Sequence, residues 1–204
     1  MNSITTMQLV RAGIKLYPSH GYDGLTAEVI SKNLNISPQT YESMFPDKDE
    51  FIKIMLQEFN ACSLGRLSFD FAPQMPPIER LRQIVWRLAV ALRCNLDWTH
   101  RMLLDSYLGV KIIRRALKIQ NEIISLGLIN LLRECYERQE ISELELQNRY
   151  EFLKGAVFLP LIITHRDEKM GVLSEDISSN VPNLMTDTHI QQRISWAFKV
   201  LFND

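Results

Sequence analysis

Apolar residues recur every three or four positions through almost the whole chain, and no alternating stretch lasts long enough to suggest a strand. Leu9, Val10, Gly13, Ile14 and Tyr17 make one face of a first helix. Pro18 and the stretch 19–22 end it, and Gly21 suits a left-handed position there. Thr26 can cap a second helix that buries Val29, Ile30 and Leu34. Asn35, which tolerates positive φ, then fits a tight turn. Ser37 caps a third helix with Pro38 in its first turn, where a missing N–H is harmless. Phe45-Pro46 closes that helix, and Asp47 with Glu50 opens a fourth running towards residue 70. Pro73, Pro76 and Pro77 mark a linker. Helical spacing resumes over 78–95, 98–108, 110–137 and 142–165, then over 188–202 after a polar loop at 169–187. The pattern predicts an all-α protein.

Composition narrows the reading. The chain has 204 residues, 46% of them hydrophobic, enough for a sizeable core. No run approaches the ~20 apolar residues of a membrane span, and residues 1–6 lack the basic and apolar regions of a signal peptide. A cytoplasmic protein with no membrane partner is expected. Cys62, Cys94 and Cys135 are odd in number and far apart, which supports buried reduced thiols and no metal or disulfide framework. There is no Ser-His-Asp order, phosphate-binding glycine loop or isolated carboxylate pair, so neither an enzyme nor a cofactor is expected. Glu143 with Glu145, and Glu137 with Glu140, read as solvated faces.

A helix, a tight turn and a short capped helix are a device for presenting one helix to the DNA major groove. The segment 25–50 resembles the TetR family of bacterial helix-turn-helix regulators. The likeness rests on Gly21-Tyr22, Thr26, Ile30, Lys32, Ile36-Ser37, Thr40, Phe45-Pro46 and Lys48, in one ungapped register from Gly21 to Phe51. It implies a helix-turn-helix DNA-binding domain over 1–47 and a C-terminal effector-binding and dimerisation domain over 48–204, with a connecting helix at 48–70. It also implies a homodimeric regulator, in most such proteins a repressor, that binds a palindromic operator on double-stranded DNA and is released by a small-molecule effector. The alternative is a ligand- or partner-binding protein on the same fold that has lost DNA recognition. The DNA-facing positions are Thr26, Ala27, Ser37, Pro38, Gln39, Thr40, Glu42, Ser43 and Lys48. Gln39 can pair with adenine, and Glu42 can accept from the cytosine amino group. Thr26, Ser37 and Thr40 can donate to phosphates, although capping alone also accounts for Thr26 and Ser37. Tyr41, Met44 and Phe45 read as packing inside the head.

Charge complicates the picture. The chain as a whole carries −1. Within 1–60, five basic residues oppose seven acidic ones, a net −2 for a proposed DNA reader. Pro38, Glu42 and Met44 stand where the family commonly offers a lysine, a tyrosine and a histidine.

For the C-terminal part, Trp86, Trp98, His100, Met102, Tyr107 and Phe158 are candidates to line a largely apolar effector pocket. Phe71 and Met75 join them, although filling the core is the plainer reading of each of these residues taken singly. Arg101, Arg114 and Arg115 could bind an anion, although solvent exposure is the plainer account of them. Phe152, Gly155 and Ala156, and the stripe of Ile190, Ile194, Trp196, Ala197, Val200 and Leu201, are either core or dimer surface, and position in the chain, by the same resemblance, assigns them to a dimer interface.

Overall fold

A computed structural model describes residues 4–63, 74–137 and 142–202. The elements are α1 Thr6–Gly24, α2 Ala27–Leu34, α3 Pro38–Met44, α4 Lys48–Ser63, α5 Pro77–Cys94, α6 Leu96–Tyr107, α7 Lys111–Cys135, α8 Glu143–Val157, α9 Leu159–Met170, α10 Glu175–Ser178, α11 Val181–Leu184 and α12 Asp187–Phe202. No strand occurs among the described residues. Phe71, Pro73 and the end of the expected connecting helix lie outside them.

Several boundaries depart from the sequence reading for local reasons. The first helix does not stop at Pro18. It continues to Gly24 with a kink at Gly21, whose φ of 65° is the left-handed conformation a glycine adopts freely. Pro18 has no N–H to give the carbonyl of Ile14, four residues back. That carbonyl instead accepts the indole N–H of Trp98 at 3.0 Å. The expected helix over 142–165 is divided at Phe158, with Pro160 in the first turn of α9. The polar loop contains the single-turn helices α10 and α11.

The chain divides into two compact units, one comprising Met1–Arg66 with Asp97–Gln120, the other Leu67–Leu96 with Asn121–Asp204. The first extends well beyond the helix-turn-helix proper, because α4, α6 and the start of α7 share its core. Phe51, Met55, Phe59, Trp98, Met102 and Ile113 are buried in one cluster with Leu9, Tyr17 and Ile30. Phe59 stacks on Trp98 with ring centroids 3.8 Å apart, and Tyr17 lies 4.5 Å from the same indole. Gly13 lets α1 and α4 approach closely, since a Cβ there would fall 2.6 Å from Phe51.

The second unit buries Leu81, Ile84, Val85 and Leu88 of α5, Leu128 and Leu132 of α7, Leu153 and Val157 of α8, and the inner face of α12. Its ends are fastened by arginines. Arg149 donates to the Leu201 carbonyl at 2.7 Å, where the last turn of α12 has no helical donor. The Tyr136 hydroxyl donates to the same oxygen at 2.5 Å. Arg93 donates to Met185 O at 2.8 Å and pairs with Asp187 at 2.6 Å, joining α5 to the start of α12.

Candidate nucleic-acid interface

The first unit builds a helix-turn-helix from short, individually capped helices. Thr26 Oγ1 accepts from Val29 N at 3.3 Å, and Ser37 Oγ accepts from Thr40 N at 3.2 Å. Between them Asn35 takes φ 54° and ψ 44°, and Ile36 N donates to Ser31 O at 3.0 Å, closing the end of α2. Two turns of α3 alone would not persist in water. Tyr41 and Phe45 anchor it, both buried, with ring centroids 5.3 and 5.0 Å from Phe51. Met44 packs against the same core. Burying these residues turns Gln39, Glu42 and Ser43 to solvent on the remaining surface of α3.

The DNA-facing candidates thus fall into three sets. Gln39, Glu42 and Ser43 are exposed, as base reading demands. Thr26, Ala27, Pro38 and Thr40 are half-buried near the starts of α2 and α3, and Ser37 is exposed. The hydroxyls of Thr26 and Ser37 cap their helices, and Thr40 Oγ1 lies 3.0 Å from Ser37 Oγ. Lys48 begins α4 but is held to the head. Its ammonium donates to Asp23 O at 3.3 Å and sits 4.6 Å above the Tyr22 ring. Asp47 Oδ1 accepts from Asp49 N at 2.9 Å, while Glu50 pairs with Lys53. Glu28, in the first turn of α2, has its pKa lowered by a hydrogen bond with Thr26 and by one from its own backbone.

Below this surface lies a polar cluster that the sequence reading missed. Asp105 of α6 is 2% exposed. Its Oδ2 accepts from the Tyr17 hydroxyl at 2.7 Å and from Tyr22 N at 2.8 Å, and its Oδ1 faces Arg101 Nε at 3.1 Å. Arg101 Nη2 also approaches His20 O at 3.4 Å. The guanidinium occupies the space a Cβ on Gly21 would need, with atoms 1.8 to 2.0 Å from that position. Burial, then the bond to Asp105, drives the Tyr17 phenol well above its usual pKa. Tyr22 in turn donates to Asp49 at 2.6 Å, which pushes its own phenol up to about 12. Asp105 falls on the buried stripe of α6, seven residues after Trp98 and three after Met102. An acid on an apolar stripe was the available signal.

The proposed effector residues do not gather in one unit. Trp98 and Met102 are core of the first unit, the indole both stacked and hydrogen-bonded. His100 is half-buried on the same helix. Tyr107 ends α6 and is 87% exposed, so it lines nothing within its unit. Trp86 and Phe158 pack against the core of the second unit.

Four of the proposed interface residues also need correction. Ile190, Ile194, Ala197 and Leu201 are covered by their own protomer. α12 carries two apolar stripes, and these four residues lie on the inner one. Trp196 and Val200, 58% and 65% exposed, form the outer stripe. Phe152 is exposed, as are Leu159 and Ile163 further along, whereas Ala156 is partly buried. A Cβ on Gly155 would meet nothing within 4 Å. The thiols differ from expectation too: Cys62 and Cys94 are exposed, and only Cys135 is substantially covered.

No protein-family model matches the sequence, and neither does any curated protein. Solved structures do match. A Clostridium perfringens protein proposed to regulate fatty acid metabolism superposes with a TM-score of 0.67 at 17% identity, covering 95% of this chain and 96% of that one. A bacterial regulatory protein of the TetR family from Rhodococcus gives 0.62 at 13% identity, with 96% of each chain covered. FadR from Bacillus subtilis, solved with stearoyl-CoA, gives 0.54 at 15% identity over 97% of each. No helix among the described residues is long and apolar enough to cross a membrane. The chain has the fold of the TetR-family transcriptional regulators.

Proposed function

We propose that the protein is a DNA-binding transcriptional regulator that acts as a homodimer on a palindromic operator and is released from it by a small, largely apolar effector. The observation that carries this reading is the arrangement of α3. Its start is capped by Ser37, its inner face is pinned by Tyr41 and Phe45, and Gln39, Glu42 and Ser43 are left to solvent. A two-turn helix so heavily anchored, with polar residues outward, is suited to a major groove. Gln39 and Glu42 read base edges, and the hydroxyls beside them position the backbone. The effector assignment is supported by fold likeness to a regulator solved with an acyl-CoA. No catalytic role is proposed.

Dimerisation is supported by the uncovered apolar residues Phe152, Leu159, Ile163, Trp196 and Val200 of the second unit. A second copy covers them, in the two-fold arrangement commonest among soluble assemblies. Gly155 supplies the test. Because a side chain there meets nothing in its own protomer, Gly155→Glu leaves the fold intact and buries an unpaired carboxylate only in the dimer. Ala197→Glu, by contrast, damages the core of the protomer itself. Light scattering should show a folded Gly155→Glu monomer, and its affinity for duplex DNA should fall because the second head is no longer tethered. A Gly155→Glu protein that remains dimeric removes that face from the interface. A folded monomer binding DNA as tightly as the parent overturns the two-headed mechanism. If the parent dimer binds no DNA, a ligand- or partner-binding role replaces the regulator.

A further inference from the structure

The first two turns of α7 carry Lys111, Arg114, Arg115 and Lys118, all exposed. Their spacing places them on one face of the helix. The first turn contains no acidic residue, and the first acid of the helix is Glu122. This is the wrong end of a helix for cations, because its free N–H groups already carry positive charge. Lys111, at the first position of the helix, works against helix stability, so the helix dipole does not account for it.

Their location links them to the helix-turn-helix. Residues 97–120 belong to the same compact unit as α1–α4. Within that unit a bonded path runs from the start of α4 to the start of α7. Lys48 covers the Tyr22 ring and Tyr22 donates to Asp49, while Tyr22 N donates to Asp105. The Asp105 carbonyl then accepts from Val110 N at 3.0 Å, and Arg114 donates to Ser106 O at 3.0 Å. The opposite end of α6, at Trp98, lies against Phe59 near the far end of α4. The basic face therefore begins at the end of the unit where α4 begins. Charge points the same way. Residues 1–60 carry −2, but 97–120 adds five basic residues against two acidic ones.

We infer that this face of α7 is a second DNA-binding surface, one that holds the phosphodiester backbone beside the segment read by α3. The inference rests on the DNA-binding role proposed above. It supplies the sequence-independent electrostatic attraction that the acidic helix-turn-helix lacks. Tyr107, exposed at the end of α6 and four residues before Lys111, offers a further hydroxyl donor.

The test uses the full chain and a fluorescent duplex pool of random sequence, about 40 base pairs long, titrated at several salt concentrations. Lys111→Gln with Arg115→Gln leaves the Arg114–Ser106 bond in place. The slope of log affinity against log salt should become shallower by roughly 0.9 for each phosphate no longer neutralised, so by roughly 2 per protomer. Gln39→Ala should leave the slope on random DNA unchanged. Trimming the duplex ends should weaken the parent and leave the double variant nearly indifferent. The melting temperature of the double variant should hold or rise, since Lys111 opposes the helix dipole. An unchanged slope in the double variant, with the parent binding DNA, overturns the second surface and leaves the regulator reading intact. A falling melting temperature makes the residues structural and likewise overturns it. If the variant loses binding to phosphatidylserine vesicles but keeps the parent slope on DNA, the face belongs to a lipid surface instead. A parent that binds no duplex even at low salt refutes both the regulator and this surface.

Discussion

Asp105→Asn offers the sharpest test of how the first unit is held together. The carboxylate is 2% exposed, accepts from two donors, Tyr17 OH and Tyr22 N, and is ion-paired with Arg101. An asparagine can turn its single oxygen to the two neutral donors, but its amide nitrogen then confronts the guanidinium. Removing one partner of a buried ion pair costs about 3–5 kcal/mol. The Arg101 side chain is 22% exposed, so partial hydration lowers the expectation to about 2–3 kcal/mol. Asp105→Ala also strands the phenol and the Tyr22 amide, each worth about 1 kcal/mol or more, for a total of about 4–6 kcal/mol. That is a large share of the roughly 5–15 kcal/mol of an ordinary domain. The conservative variant is therefore the useful one. Urea unfolding followed by fluorescence, in a background with Trp86→Phe and Trp196→Phe, leaves Trp98 as the reporter inside the unit concerned. Arg101→Met on top of Asp105→Asn removes the stranded charge and should return about 1 kcal/mol or more. A loss below about 1 kcal/mol in Asp105→Asn would refute the reasoning, as would a double variant no more stable than Asp105→Asn alone.

Gly21→Ala should cost about 2 kcal/mol in the same assay, because φ of 65° is strained for alanine and its Cβ displaces Arg101. Adding Arg101→Met should recover the steric part only, and full recovery would show that the backbone carries no strain. Stability should fall as pH rises through the alkaline range. Burial and then the charge of Glu134 push the Cys135 thiol from 9.0 to about 12, burial raises Tyr41 from 10.0 to about 12, and the bond to Asp49 raises Tyr22 to about 12. The unfolded chain releases these protons first, so the folded state loses ground from about pH 9 upwards. Thermal melts at stepped pH should show Cys135→Ala flattening the earliest part of that fall, and an identical slope would exclude the thiol.

Local chemistry made much of the architecture legible. Thr26, Ser37, Pro38 and Asn35 announced α2, the turn and α3, because caps and left-handed residues act within three or four positions. The stripe of Trp98 and Met102 is evidently apolar, and filling a core is its plainer reading, but nothing in it names the unit. Periodicity says that a face is buried, not against what, so core of the first unit and effector pocket were indistinguishable. On α12 the ambiguity has the same origin: inner Ile190 and Ile194 and outer Trp196 and Val200 all repeat at helical spacing, which does not say which of them the protomer itself covers. Asp105 was missed because its donors lie 83 and 88 residues away. Pro18 misled because the sequence showed a helix breaker without the indole that takes up the freed carbonyl.

Selection of bound duplexes from a random pool by the full chain tests the central claim most directly. The account predicts enrichment of an inverted repeat, its half-sites about one helical turn or a small multiple apart. Gln39→Ala should relax preference at one position in each half, at a cost of ~1–3 kcal/mol on the selected site and little on random DNA. A pool that shows no enriched sequence after repeated rounds would contradict the claim that this helix-turn-helix reads DNA.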